Sequence, residues 1–139
     1  MMTCYIDPSS EQFLEFKNLP RHTPIMMLNL LKFKENANYN DGSIVTGIEA
    51  YRRYGDAAAL IFSRVGGSVI WQGKPESVLI GPESERWDTA FIARYPTASA
   101  FLEMVTDPEY QAAVYHRQAA VETSRLIRFG NMGESSAFG

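Results

Sequence analysis

With 139 residues, 45% of them hydrophobic and 21% charged, the chain has the length and apolar content of one globular domain, which excludes global disorder. A net charge of −3, a pI near 5.4 and cations scattered singly argue against nucleic acid or an anionic membrane as the main partner. No apolar run approaches the ~18 residues of a membrane span and no export signal is legible, while a lone cysteine, Cys4, fits a reducing cytoplasm.

The first element expected is a short helix from Asp7-Pro8-Ser9-Ser10-Glu11-Gln12 to about Asn18. Asp7 is its expected cap, Pro8 sits in the first turn, and Phe13, Leu14 and Phe16 form an apolar side. It reads as an addition to the central sheet. Ile25–Phe33 is the clearest strand, and it does not alternate: apart from Asn29 and Lys32, both parities are apolar. A strand apolar on both faces must be covered on both. Helices of the same chain can cover one side of a sheet, and in so small a domain a second subunit is the economical cover for the other.

Lys34 to Gly47 is a polar loop longer than the usual connection, either functional or a mobile surface insertion. Ile48 to Val65 has helical period, with Ile48, Tyr51, Gly55, Ala58 and Phe62 on one side and Tyr54, Ile61 and Val65 flanking. Gly55 and Ala57-Ala58-Ala59 allow close approach to a sheet, and Gly66-Gly67 closes the helix. Ser68–Gln72 is a strand; Gly73-Lys74-Pro75 bends the chain and Ser77–Ile80 extends it. Trp87–Tyr95 is a strand stopped by Pro96. Thr97 caps a helix to Val105, and Asp107-Pro108 restarts a second one that runs to about Thr123. Ser124–Phe129 is the last strand.

That order is βαββαβ, the ferredoxin-like split unit: an α+β fold with a four-stranded antiparallel sheet and helices on one face. The chain divides into an appended helix and linker (1–23), the ferredoxin-like domain (24–130) and a loose polar tail (131–139) that could reach a partner.

Candidate site residues follow from polar groups in apolar settings. Asn29 stands inside an apolar strand and needs partners if buried, from a ligand or from neighbouring backbone. Asp88, Ala90, Ile92 and Arg94 share one strand face; Arg94 suits a carboxylate, and its ~20 Å separation from Asp88 rules out a direct pair. A structural ion pair is the plainer role for either. His116 could work as an acid or base near neutral pH or lie on the surface, and Arg117 falls within the stripe of Tyr110, Ala113, Val114 and Val121, where it either snorkels or meets something buried. Tyr54 is the preferred phenolic donor. Tyr51, Trp71 and Trp87 could line an aromatic pocket or pack a core or interface, and Lys32 ends its strand beside the long loop. Asn29, Tyr54, Asp88, Arg94 and His116 are thus the catalytic candidates; Lys32, Tyr51, Trp71, Trp87 and Arg117 are the ligand-binding ones. Metal-ligand spacing, a phosphate loop and a nucleophile elbow are all missing, so neither metal nor cofactor is expected.

Several local motifs occur together: Asn29-Leu30-Leu31-Lys32-Phe33; Tyr51-Arg52-Arg53-Tyr54; Arg94-Tyr95-Pro96-Thr97 with Phe101, Met104 and Asp107-Pro108-Glu109-Tyr110; and Ser124-Arg125-Leu126-Ile127. The combination resembles the domain-of-unknown-function 1330 family, within the dimeric α/β-barrel superfamily, over roughly residues 24 to 130. The resemblance implies two ferredoxin-like subunits packed sheet to sheet. That superfamily includes cofactor-free monooxygenases, lactone isomerases, haem-degrading enzymes and stress-response proteins, so the architecture selects no reaction. The leading expectation is a cytoplasmic homodimer holding a small organic molecule that bears a carboxylate or enol, with cofactor-free acid–base or oxygenation chemistry. The alternatives are a non-catalytic dimer module with a structural or stress-related role, and haem binding through His116.

Overall fold

Caps and breakers define the elements of the computed structural model, which describes residues 3–138. Helix α1 (Ser10–Asn18) starts at Ser9, not Asp7: the Ser9 hydroxyl accepts from the Gln12 amide in a capping box, while Asp7 accepts from the Gln118 side chain at 3.1 Å. A Ser-x-x-Gln box satisfies two orphan donors at once, which the Asp7-Pro8 alternative cannot. Strand β1 (Ile25–Phe33) follows, then helix α2 (Gly47–Arg64), capped by Thr46 and closed by Gly66 at φ +87, with the Gly67 amide donating to the Phe62 carbonyl at 2.9 Å.

Strand β2 (Ser68–Gly73) forms as expected, but Ser77–Ile80 is not a strand; it lies in an exposed connection where Leu79 and Ile80 are each 93% accessible. It meets no neighbouring strand, and extended backbone without a ladder partner is solvated instead. Strand β3 (Thr89–Tyr95) starts two residues later than expected, after Trp87 and Asp88. Helices α3 (Ala98–Thr106) and α4 (Pro108–Ala120) are capped by Thr97 and Asp107, and β4 (Val121–Phe129) takes over three residues earlier than expected. Val121 and Thr123 are β-branched and buried, which favours the pleated sheet over another helical turn.

The four strands form one antiparallel sheet in the order β2-β3-β1-β4, with α2, α3 and α4 on one face: the ferredoxin-like α+β fold. Register divides the sheet into two unlike faces. Met27, Asn29 and Leu31 pair with Ala93, Phe91 and Thr89 on the helix side. Met26, Leu28 and Leu30 pair with Arg94, Ile92 and Ala90 on the other, outside both hydrophobic cores. This second face continues across Ile127, Phe129 and Trp71, all 43–54% accessible.

The 34–47 loop is docked rather than mobile. Lys34 and Asn38 donate to the Ala120 and Ala119 carbonyls, Ala37 donates to Val45, and Tyr39 is buried with Leu31, Ala50 and Val121. Gly47, not Gly55, is the close approach: a Cβ at Gly47 would collide with the Lys34 carbonyl and lie 2.9 Å from that of Ala120, whereas Gly55 has open space around it. The buried side of α2 is accordingly turned toward Ala50, Ala58 and Ile61, and Ile48 is exposed.

Candidate functional site

A cavity of about 1510 Å³ lies between the helix side of the sheet, α2, α4 and the N-terminal segment with α1. Sequence explains its walls. Tyr51 and Tyr54 of α2 recur at helical spacing and line one side: Phe33 of β1 lies tilted against Tyr51 at 5.1 Å, Tyr51 against Tyr54 at 5.2 Å, and Tyr54 edge-on to Tyr110 of α4 at 6.1 Å. Phe91 and Asn29, paired across β1 and β3, form the floor. α1 buries no residue of its own, and spans the cavity held by Phe16 against Phe101 and by Arg128, which donates to the Phe16 and Pro20 carbonyls.

Polar groups enter this apolar space at few points. Asn29 Nδ2 donates to the Met27 carbonyl at 3.1 Å, and its Oδ1 has no donor among the described residues. The Tyr54 and Tyr110 hydroxyls lie 2.8 Å apart. Arg117, only 9% accessible, donates from Nη1 to the Ile6 carbonyl and from Nη2 to Ser124 Oγ at 3.1 Å; Ser124 Oγ in turn donates to the Tyr5 carbonyl. Burial pushes the Tyr51, Tyr54, Tyr95 and Tyr110 hydroxyls above the ordinary phenol range. All four are therefore neutral at physiological pH, able to donate and accept hydrogen bonds but not to act as phenolate bases.

Of the residues singled out from sequence, the cavity brings together Asn29, Tyr51, Tyr54 and Arg117. It does not bring the others. Arg94 is exposed on the opposite face of the sheet, beside Met26. Asp88 splices the end of β1 to the start of β3, its amide donating to Leu31 and its carboxylate accepting from the Phe33 amide at 2.8 Å. Lys32 lies 3.2 Å from Glu122. Trp71 is exposed on edge strand β2, and Trp87 lies under the Arg125 guanidinium at 5.1 Å. His116 faces the docked loop, with Nδ1 2.6 Å from the Tyr39 hydroxyl, so it is not positioned as an axial ligand for a group in the cavity. Among the described residues no cluster of three or more His, Cys, Asp or Glu side chains is arranged for a metal, and no helix is long and apolar enough to cross a membrane.

The sequence offered Tyr110 as part of an apolar stripe and Ser124 within a family motif, neither as a site residue, and gave no sign of the Tyr5–Ile6 backbone. Tyr110 follows the Asp107-Pro108 cap at a position that must face inward, which was a usable signal. Nothing local marks Tyr5 or Ile6, whose carbonyls become partners only through a contact spanning 111 residues or more.

Sheet order, helix side and an inter-layer cavity define a ferredoxin-like α+β protein. The domain of unknown function family DUF1330 matches over residues 43–130, more than half of the chain, and the chain belongs to that family. The match begins within the long loop, leaving β1 and its Asn29 outside it. The methylated RPA0582 protein is 51% identical, with a TM-score of 0.91 over 95% of this chain and 98% of that one. A second structure of RPA0582, a protein of unknown function from Rhodopseudomonas palustris, is 50% identical over 95% and 100% of the two chains, also with a TM-score of 0.91. At the level of fold alone, the chain is similar to SnoaB, a cofactor-independent oxygenase from Streptomyces nogalater, with a TM-score of 0.53 and 16% identity over 83% of this chain and 99% of that one. No curated protein matches the chain.

Proposed function

We propose that this protein is a cytoplasmic homodimer whose subunits each bind a small, largely apolar organic molecule between the sheet and the helices. The observation that carries the reading is the convergence of Asn29, Tyr51, Tyr54 and Arg117, far apart in sequence, on one aromatic-walled cavity. A concave apolar space with a few placed polar groups is the usual form of a small-molecule site. The Oδ1 of Asn29 and the paired Tyr54 and Tyr110 hydroxyls supply acceptor and donor groups that fix a ligand's orientation.

A binding role is better supported than acid–base catalysis. Among the described residues the cavity lining includes no histidine, its phenols are neutral, and its carboxylates, Asp7 and Glu15, are exposed. Oxygenation without a cofactor is the second reading, favoured by the fold shared with SnoaB. With no buried base, such a reaction suits a substrate that is already ionised at neutral pH. Arg94 and Trp71, on the opposite face of the sheet, belong in this reading to the subunit interface.

A thermal-shift screen of small aromatic and unsaturated metabolites tests the site. Ligands that raise the unfolding temperature of the native chain are expected to lose that effect in Asn29→Ala and Tyr54→Phe and to keep it in Arg94→Ala. Loss in Arg94→Ala alone would move the site to the other face of the sheet and overturn the proposal.

A further inference from the structure

Arg117 presents an electrostatic problem that the folded chain leaves open. Its guanidinium is 9% accessible, yet among the described residues no carboxylate lies within ion-pair distance of it. Its acceptors, the Ile6 carbonyl and the Ser124 hydroxyl, are neutral. Taking a cation out of water costs several kcal/mol unless an anion or a full set of acceptors replaces the lost hydration. Asp7 and Glu15 line the same cavity but are exposed, and Asp7 is engaged by Gln118.

The unfilled donors open onto the cavity. Among the described residues no sealed side-chain nitrogen or oxygen lacks a hydrogen-bond partner. Neither Arg117 Nε–H nor the Tyr51 hydroxyl has a hydrogen-bond partner among the described residues, so neither group is sealed off, and both residues line the cavity. They stand on α4 and α2, two helices packed against each other, and both line the same cavity; the guanidinium charge opposes the upward push of burial on the phenol. The rings of Phe33 and Tyr54 each pack at a tilt against Tyr51, and Phe91 lines the same cavity.

We propose that the cavity selects a small planar monoanion, aromatic or conjugated, whose carboxylate or enolate oxygen is held between Arg117 and the Tyr51 hydroxyl. The body of the ligand lies against Phe33, Tyr54 and Phe91. This rests on the small-molecule reading above and names the class of ligand. It assigns to Arg117 the carboxylate recognition that sequence alone placed at Arg94. The ligand's charge supplies the missing counter-ion, so a charge-assisted bond replaces an uncompensated cation.

The test uses a matched pair of probes, 2-naphthoate and its neutral isostere 2-naphthamide, titrated calorimetrically into the full chain. The naphthoate is expected to bind at least about tenfold more tightly, the order of one charge-assisted hydrogen bond. Arg117→Gln should abolish that gap, Arg117→Lys should keep part of it, and Tyr51→Phe should narrow it. Equal binding of the two probes, or a gap that survives Arg117→Gln, overturns the anion assignment and leaves the cavity reading standing. Binding of neither probe overturns both. Because the Tyr51 hydroxyl bonds no described group, Tyr51→Phe removes no folding contact. An unnarrowed gap in that variant overturns the assignment even if Arg117→Gln does not fold.

Discussion

The hydroxyl of Tyr39 lies 2.6 Å from Nδ1 of His116, joining the long loop to α4 across 77 residues of chain. Tyr39 is buried, its ring packs on Tyr115 and on His116 itself, and the Arg53 guanidinium stands over it at 5.6 Å. A histidine that suggested catalysis in sequence is here the anchor of a loop. Removing the bond by Tyr39→Phe is expected to lower stability by about 1 kcal/mol. His116→Ala should cost somewhat more, because it also deletes the ring contacts. Amide exchange should rise within residues 34–47 while the strand amides stay protected. Uniform change along the chain, or none in the loop, would contradict the anchoring role.

The phenol cluster makes a prediction about alkaline pH. In the folded chain Tyr51, Tyr54, Tyr95 and Tyr110 titrate above the ordinary phenol range, burial being the first cause in each case. Below about pH 10 the phenols are protonated in both folded and unfolded chains, and stability does not depend on them. Above it the unfolded chain releases its protons first, so stability falls as pH rises toward the folded values. Phenolate absorbance from these four residues should therefore appear together with loss of the fold, not before it. A smooth ionisation of all seven tyrosines in the intact protein would refute the burial of the cluster.

Within that cluster, Tyr54 and Tyr110 share one hydrogen bond between helices. Single changes to phenylalanine are each expected to cost about 1 kcal/mol. The double change should cost clearly less than their sum, since neither partner is left unsatisfied. Urea unfolding of the four proteins in the cycle measures this, and strict additivity would show that the hydroxyls do not interact.

Gly47 carries a steric requirement that no side-chain contact reveals. It begins α2 while pressed against the carbonyls that close β1 and α4. Alanine at this position is expected to destabilise by more than about 2 kcal/mol, because the atoms it meets are backbone and cannot rotate away. Gly55→Ala, in the middle of the same helix and with open space around it, should instead stabilise by up to about 1 kcal/mol. Chemical denaturation of both variants checks the pair; similar effects at the two sites would be inconsistent with this packing.

The apolar face of the sheet sets an expectation for assembly. Leu28, Ile92, Ile127 and Trp71 lie together outside both cores, and a stable partner needs roughly 800 Å² per subunit of such surface. Sedimentation at micromolar concentration should give twice the 15.6 kDa chain mass, and Ile127→Lys should give single subunits. A native chain that sediments alone would remove the homodimer from the proposed function.

Local chemistry made much of the fold legible. Thr97 and Asp107 cap the helices expected of them, Pro96 follows the end of β3, and Gly66-Gly67 stops α2, because each acts through atoms only a few residues away. The two-sided apolar pattern of Ile25–Phe33 likewise announced a strand with no strongly solvated face. Where local signals competed, as at Ser9 against Asp7 or at the α4–β4 junction, boundaries moved by two or three residues.

The site was decided at longer range. Asn29 and Arg94 were both candidates for a ligand, yet pairing of Met26 with Arg94 puts them on opposite faces, and a shift of one residue would have reversed that. The charge of Arg117 is visible in the sequence; its burial without a carboxylate depends on a neutral carbonyl 111 residues away. Periodicity specifies which side of an element is apolar, because that is a property of neighbouring residues. Which polar groups share an enclosed space depends on register and helix packing, and those arise only when the whole chain closes on itself.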